Sequence, residues 1–197
     1  MTSSSDLSRR TLLAVPAALT LASATAACGQ GTSQQPQAKS QTLVAFFTRS
    51  GNTRVIAGTI SRALGADLFE IRPLRPYPED YEQTVAQARE ERDRGVEPAL
   101  ASQAPGITSY ETAFLGFPIW GETAPPVIRS FLRAHDLSRK VLRPFITHGG
   151  YGVGNSASVL NSHAAGARIE PAFVMEADQE RRTLNQVSAW LKEASLR

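Results

Sequence analysis

The chain has 197 residues, 42% of them hydrophobic, with 21 Lys and Arg against 18 Asp and Glu and a single cysteine. Leaving out Arg9, Arg10 and Asp6, the part from Gly29 onward carries 19 basic against 17 acidic residues and no basic run, so nucleic acid is not expected as a partner. Cys28 is the only thiol, which removes disulfides, cysteine-ligated metals and cysteine nucleophiles from everything that follows it.

Residues 1–28 read as an export signal. Paired Arg9 and Arg10 stand directly before an apolar stretch that runs to about Ala27, too short to span a bilayer and interrupted by Pro16. The arginine pair suggests the twin-arginine route, which carries folded, cofactor-loaded proteins; an ordinary secretory signal is the plainer reading. Cys28 after Thr25-Ala26-Ala27 is similar to a bacterial lipoprotein site, although Thr25 stands where a leucine is usual. A plain cut after Ala26 is the alternative. The location expected is the outer face of the membrane, periplasmic or extracellular, with membrane contact only through a lipid on Cys28. Residues 29–41, GQGTSQQPQAKSQ, form a polar tether with nothing to bury.

One domain is expected over 42–197. Thr42 to Phe47 is an uncharged run of strand formers. Ile56, Ile60, Ala63 and Leu64 then recur at helical spacing up to Gly65. Asp67 to Arg72 is a short strand closed by Pro73, and YPEDYEQTVAQAREERDRG reads as an exposed, highly charged helix. Ala113 to Phe117 is a buried strand, and Pro125-Pro126 suits the first turn of a helix facing inward through Ile128, Phe131 and Leu132. Val141 to Ile146 is a strand in which Pro144 marks an irregularity. A short helix over 156–163, a strand over 169–175 and a helix capped by Asp178 and carrying Leu184, Val187 and Leu191 complete the chain. Strand and helix alternate five times, which implies an α/β fold: a doubly wound parallel sheet with ligands at the carboxyl ends of its strands.

Three of those strand ends carry unusual loops. The first, Thr48-Arg49-Ser50-Gly51-Asn52-Thr53, offers hydroxyls, a glycine and the N–H groups of a helix start, which suits an anion. The second, GFPIWGETAPP over 116–126, holds an aromatic between proline and glycine. The third, THGGYGVGNS over 147–156, combines four glycines with Tyr151 and His148. Singly each is a helix cap, a core aromatic or a tight turn. Together they describe a slot for a flat aromatic ring that bears a phosphate.

These three motifs, in this order and spacing over 42–191, resemble the flavodoxin family, most closely bacterial flavodoxin-like proteins with a Pro-Ile-Trp loop. The resemblance implies a five-stranded parallel sheet in a three-layer sandwich, binding FMN without a covalent bond. It further implies that Thr48, Ser50, Asn52 and Thr53, with backbone N–H groups from Arg49 through Gly51 to Thr53, hold the phosphate with neutral donors and the helix dipole. Pro118, Ile119, Trp120 and Gly121 would flank the isoalloxazine on one side, and Gly149, Gly150, Tyr151 and Gly154 on the other, beside His148. No residue need act as acid or base, because the chemistry belongs to the flavin. The chain departs from electron-carrying relatives in three respects. Gly121-Glu122 places an acid near the ring, Arg49 sits inside the phosphate turn, and the domain is not strongly acidic.

Other owners of this topology do not fit. The first and third strands end in Phe47-Thr48 and Phe117-Pro118 rather than carboxylates, which excludes a receiver domain. The first loop lacks a nucleophilic cysteine and the Gly-Lys-Ser/Thr spacing of a nucleotide P-loop. His148 and His163 are too isolated for a metal site. Two functions stay open. One is an FMN-dependent oxidoreductase passing electrons from a reduced nicotinamide or other small donor to a quinone or similar acceptor; the other is an electron-transfer module docking a redox protein. The near-neutral charge leans towards the enzyme.

Overall fold

The structure is a computed structural model that describes residues 40–176 and 180–195. The export signal, nearly all of the tether and the cap Asp178 lie outside the described residues.

The elements are β1 Thr42–Phe46, α1 Asn52–Leu64, β2 Asp67–Glu70, α2 Tyr81–Asp93, a 3₁₀ turn Ile107–Ser109, β3 Thr112–Pro118, α3 Pro126–Ala134, β4 Val141–His148, α4 Ser156–His163, β5 Arg168–Ile169, β6 Phe173–Glu176 and α5 Glu180–Ser195. All strand pairs are parallel, in the order β2-β1-β3-β4-β5, with β6 continuing beside β4. The sheet has five strand positions, as the alternation predicts.

Alternate strand residues feed two cores. Leu43, Ala45 and Phe47 join Leu115, Phe117, Ile128 and Phe131 on the face covered by α3 and α4. Val44 and Phe46 join Ile56, Ile60, Phe145 and Val187 on the face covered by α1 and α5. Each fully buried side chain of this size contributes roughly 1.5–3 kcal/mol before ordering costs. Gly116 belongs to this packing: a Cβ there would lie 2.1 Å from the Phe145 ring, so only glycine lets that ring cross β3.

Three expectations change. The buried stripe of α1 is Thr53, Ile56, Ala57 and Ile60, while Ala63 and Leu64 face solvent in a last turn that runs past the sheet. The second strand stops at Glu70, because Pro73 ends the ladder and the chain turns away to bridge Leu100. The last strand is broken into β5 and β6. Leu142 accepts from the Glu170 N–H, so two residues on, Pro144 faces the same edge without an N–H to give. Pro171 lies in the segment opposite, and pairing resumes only at Phe145 with Phe173.

Candidate functional site

β1, β3 and β4 are adjacent, so their carboxyl ends bring the three loops together. In the first loop, the Gly51 N–H donates to Thr48 Oγ1 (3.0 Å) and the Val55 N–H to the Gly51 carbonyl (3.2 Å), which closes a tight turn into α1. Gly51 has φ 98, a left-handed conformation that a side chain would strain, and no side chain caps the helix start. Ser50 is exposed and Asn52 half-buried at the mouth of this turn. Arg49 reaches sideways: Nη2 donates to the Glu79 carbonyl (2.8 Å) and the guanidinium lies 5.5 Å from the Tyr81 ring. Thr53 points inward, 1% exposed, its hydroxyl 3.0 Å from that of Thr147 at the end of β4.

The second loop leaves β3 as a hairpin corner. The Ile119 N–H donates to the Thr147 carbonyl (2.8 Å) and the Trp120 N–H to the Thr123 carbonyl (3.0 Å). Gly121 (φ 55) and Glu122 (φ 62) between them both have positive φ, as a type I′ turn requires. Trp120 packs edge-on against Phe47 (5.2 Å) and Tyr77 (4.9 Å). Burial, with the hydrogen bond from Tyr77 Oη to Glu91 Oε2 (2.7 Å), pushes the Tyr77 phenol well above its ordinary range and keeps it protonated.

The third loop is pinned to the second. The Asn155 N–H donates to the Glu122 carbonyl (2.9 Å), and a Cβ on Gly154 would overlap that carbonyl oxygen at 1.8 Å. His148 Nδ1 accepts from the Gly150 N–H (3.0 Å), so a neutral ring carries its proton on Nε2.

These elements enclose a cavity of about 470 Å³. Of the residues singled out in the sequence, Arg49, Ser50, Asn52, Pro118, Ile119, Trp120, Gly121, His148 and Gly149 line it. Thr48 lines an adjoining cavity instead, and Gly51 forms the turn itself. Gly150, Tyr151 and Gly154 do not line either cavity. Tyr151 is 88% exposed, and Gly154 faces Glu122. Glu122 does not line the cavity either.

The remaining wall is α2, which sequence reading treats as an exposed helix. Tyr81, Thr84, Val85, Ala88, Arg89 and Arg92 all line the cavity. Their spacing traces one helix face. Asp80 caps the helix by accepting from the Gln83 N–H (2.9 Å), and Thr84 Oγ1 donates to the Pro78 carbonyl (2.6 Å), which fixes how α2 enters.

The adjoining cavity, about 550 Å³, lies between Trp120 and the segment after β2. Phe47, Ile71, Pro73, Leu74 and Tyr77 give it apolar walls, and it shares Arg49 and Trp120 with the first. On its rim Glu70 pairs with Arg54 (2.6 Å) and Arg72 (2.7 Å). Burial works against the Glu70 charge, but those two hydrogen bonds outweigh it and hold the carboxyl below its usual value. Among the described residues no cluster of His, Cys, Asp and Glu could hold a metal ion, and no helix is long and apolar enough to cross a membrane.

The fold agrees with comparisons across known proteins. The sequence profile of the flavodoxin family matches residues 41–194. A candidate flavoprotein from Bacteroides eggerthii DSM 20697 is 31% identical, with a TM-score of 0.67 over 79% of this chain and 98% of that one. A second from Bacteroides uniformis ATCC 8492 is 26% identical, with a TM-score of 0.68 over 79% of this chain and 99% of that one. A flavoprotein from Lactobacillus acidophilus NCFM, solved in complex with FMN, is 21% identical with a TM-score of 0.60, covering 75% of this chain and 99% of its own. No curated protein matches the chain.

Proposed function

The chain belongs to the flavodoxin family, and from that premise we propose that it binds FMN in the cavity between its three strand-end loops and acts as a reductase of quinones or similar small acceptors. The observation that carries the reading is the chemistry that the three loops bring to one cavity wall. The first loop contributes Ser50, Asn52 and the start of α1, donors suited to a phosphate. The second and third contribute Pro118, Ile119, Trp120, Gly121 and Gly149, which suit a flat heterocycle. Its volume falls in the roughly 300–1,000 Å³ range of small-molecule sites. The Lactobacillus relative, which carries FMN, supports the same assignment.

When bound, FMN supplies hydride and electron transfer. The chain's residues bind, orient and shield it. Ser50 and Asn52 anchor the phosphate, Trp120 is held edge-on by Phe47 and Tyr77, and α2 closes the solvent side. The adjoining apolar cavity, separated only by shared residues, supports turnover of a second planar molecule. The donor in this reading is a reduced nicotinamide or another small reductant. We place the protein outside the cytoplasmic membrane on the strength of residues 1–28.

The test is reconstitution of the full chain with FMN, FAD and riboflavin, then steady-state assay with a nicotinamide donor and a quinone. About one FMN per chain, weaker riboflavin and FAD binding, and sustained quinone reduction are expected. A chain that stays colourless overturns the cofactor. Tight FMN binding with no turnover moves the reading to a one-electron carrier docking a redox protein.

A further inference from the structure

Among the described residues the cavity wall holds three arginines, Arg49, Arg89 and Arg92, and no Asp or Glu. Arg49 belongs to the phosphate end, where it is tied to Glu79 and Tyr81. The other two arginines do not. Tyr81 and Arg92 are the first and penultimate residues of α2, which sets them about 16 Å apart along the helix axis. Arg92 lies against the second loop: its Nη1 would stand 2.5 Å from a Cβ on Gly121. Arg89, one turn earlier, has no hydrogen bond or ion pair among the described residues. Asp93, 58% exposed, pairs with Arg92 (2.9 Å) from outside the cavity, and Glu91 is occupied by Tyr77 and Gln87. Glu122, the acid expected near the ring, is not among the residues that line the cavity.

We propose that Arg92 and Arg89 tune the redox potential of the site, placing positive charge at the end of the cavity remote from the phosphate so that reduction of the bound ring is favoured. The inference rests on FMN occupying this cavity. The physical cause is Coulombic: reduction adds electrons to the ring, and neighbouring guanidiniums in a partly enclosed site favour the more negative state. The two arginines therefore discriminate between oxidised and reduced cofactor, and contribute little to holding the oxidised one.

The experiment compares the full chain with Arg92→Gln, Arg89→Gln, the double variant and, as a control outside both cavities, Arg62→Gln. Dissociation constants are measured for FMN and riboflavin, oxidised and chemically reduced, together with the midpoint potential. In the double variant oxidised FMN should bind within about threefold of wild type while reduced FMN weakens about tenfold, which lowers a two-electron midpoint by about 30 mV. Arg62→Gln should change neither. Equal weakening of both redox states, or weakening of FMN without riboflavin, would mean that the arginines anchor the ligand and would overturn the proposal. So would an unchanged potential. A wild-type chain that binds no flavin fails at the first measurement, before any variant is compared, and removes the cofactor reading and this inference together.

Discussion

The hydroxyls of Thr53 and Thr147 meet 3.0 Å apart inside the protein, joining the start of α1 to the end of β4. This bond holds the first loop's turn against the strand that carries the third loop, and it uses a hydroxyl that sequence reading assigns to the phosphate. Each hydroxyl is buried, so removing one leaves the other without its partner. Thr53→Val and Thr147→Val should each cost about 1–3 kcal/mol in urea unfolding. The double variant should lose clearly less than the sum, since both polar groups go together. Additive losses would show that the two hydroxyls do not depend on each other.

Gly154 is where the third loop touches the second. Alanine there would place its Cβ 1.8 Å from the Glu122 carbonyl oxygen, at φ 52. The left-handed conformation alone costs about 1–3 kcal/mol, and the overlap forces the loops apart. Gly154→Ala should therefore lower stability and FMN affinity together, read by thermal melting and by flavin titration. Gly152→Ala, which also has positive φ but open space around it, should lose stability with a smaller effect on FMN.

Ser50 stands at the mouth of the first turn with no competing role in the fold. Ser50→Ala should weaken FMN by about 1 kcal/mol, roughly fivefold, and leave riboflavin unchanged, because only a phosphate contact is lost. Parallel titrations with the two flavins measure the difference. Equal weakening of both would place the phosphate elsewhere.

His135 makes stability depend on pH. Its Nδ1–H donates to the Phe131 carbonyl (2.8 Å) and its Nε2 accepts from the Ala104 N–H (2.9 Å), so the neutral ring is fully used. Burial lowers its pKa below the ordinary value, against a smaller opposing effect of the Phe131 carbonyl. The unfolded chain therefore binds this proton more readily than the folded one. Its contribution is complete above a pH of about 6.5 and is lost as pH falls towards the lowered folded value. Urea midpoints at about pH 7.5 and about pH 5 should differ for wild type, and His135→Gln should flatten that dependence.

Residues 1–28 carry the prediction of export. Replacing Arg9 and Arg10 by lysine should stop translocation if the twin-arginine route is used. Cys28→Ser should release a membrane-bound form, or block its processing, if the cysteine carries lipid. Identical soluble fractionation of both forms would leave the plain cut after Ala26.

The order and type of the elements, the parallel sheet and the three loops were written in the sequence, because they follow from local chemistry. Apolar period, glycine and proline placement and the clustering of hydroxyls act over a few residues and read directly from the chain. Where the side chains of those loops point is a different matter. Thr53 turns inward because Thr147 waits across the sheet, 94 positions away in the chain. Gly154 packs against Glu122, and Tyr151 stands in solvent, because the third loop is pinned by the second. The largest revision is α2. Its polar surface reads as exposed, and only the packing of the sheet, which brings its Tyr81–Arg92 face over the strand ends, makes it a wall of the cavity. Local propensity determined what each segment is; contacts between distant segments decided which of its residues line the cavity.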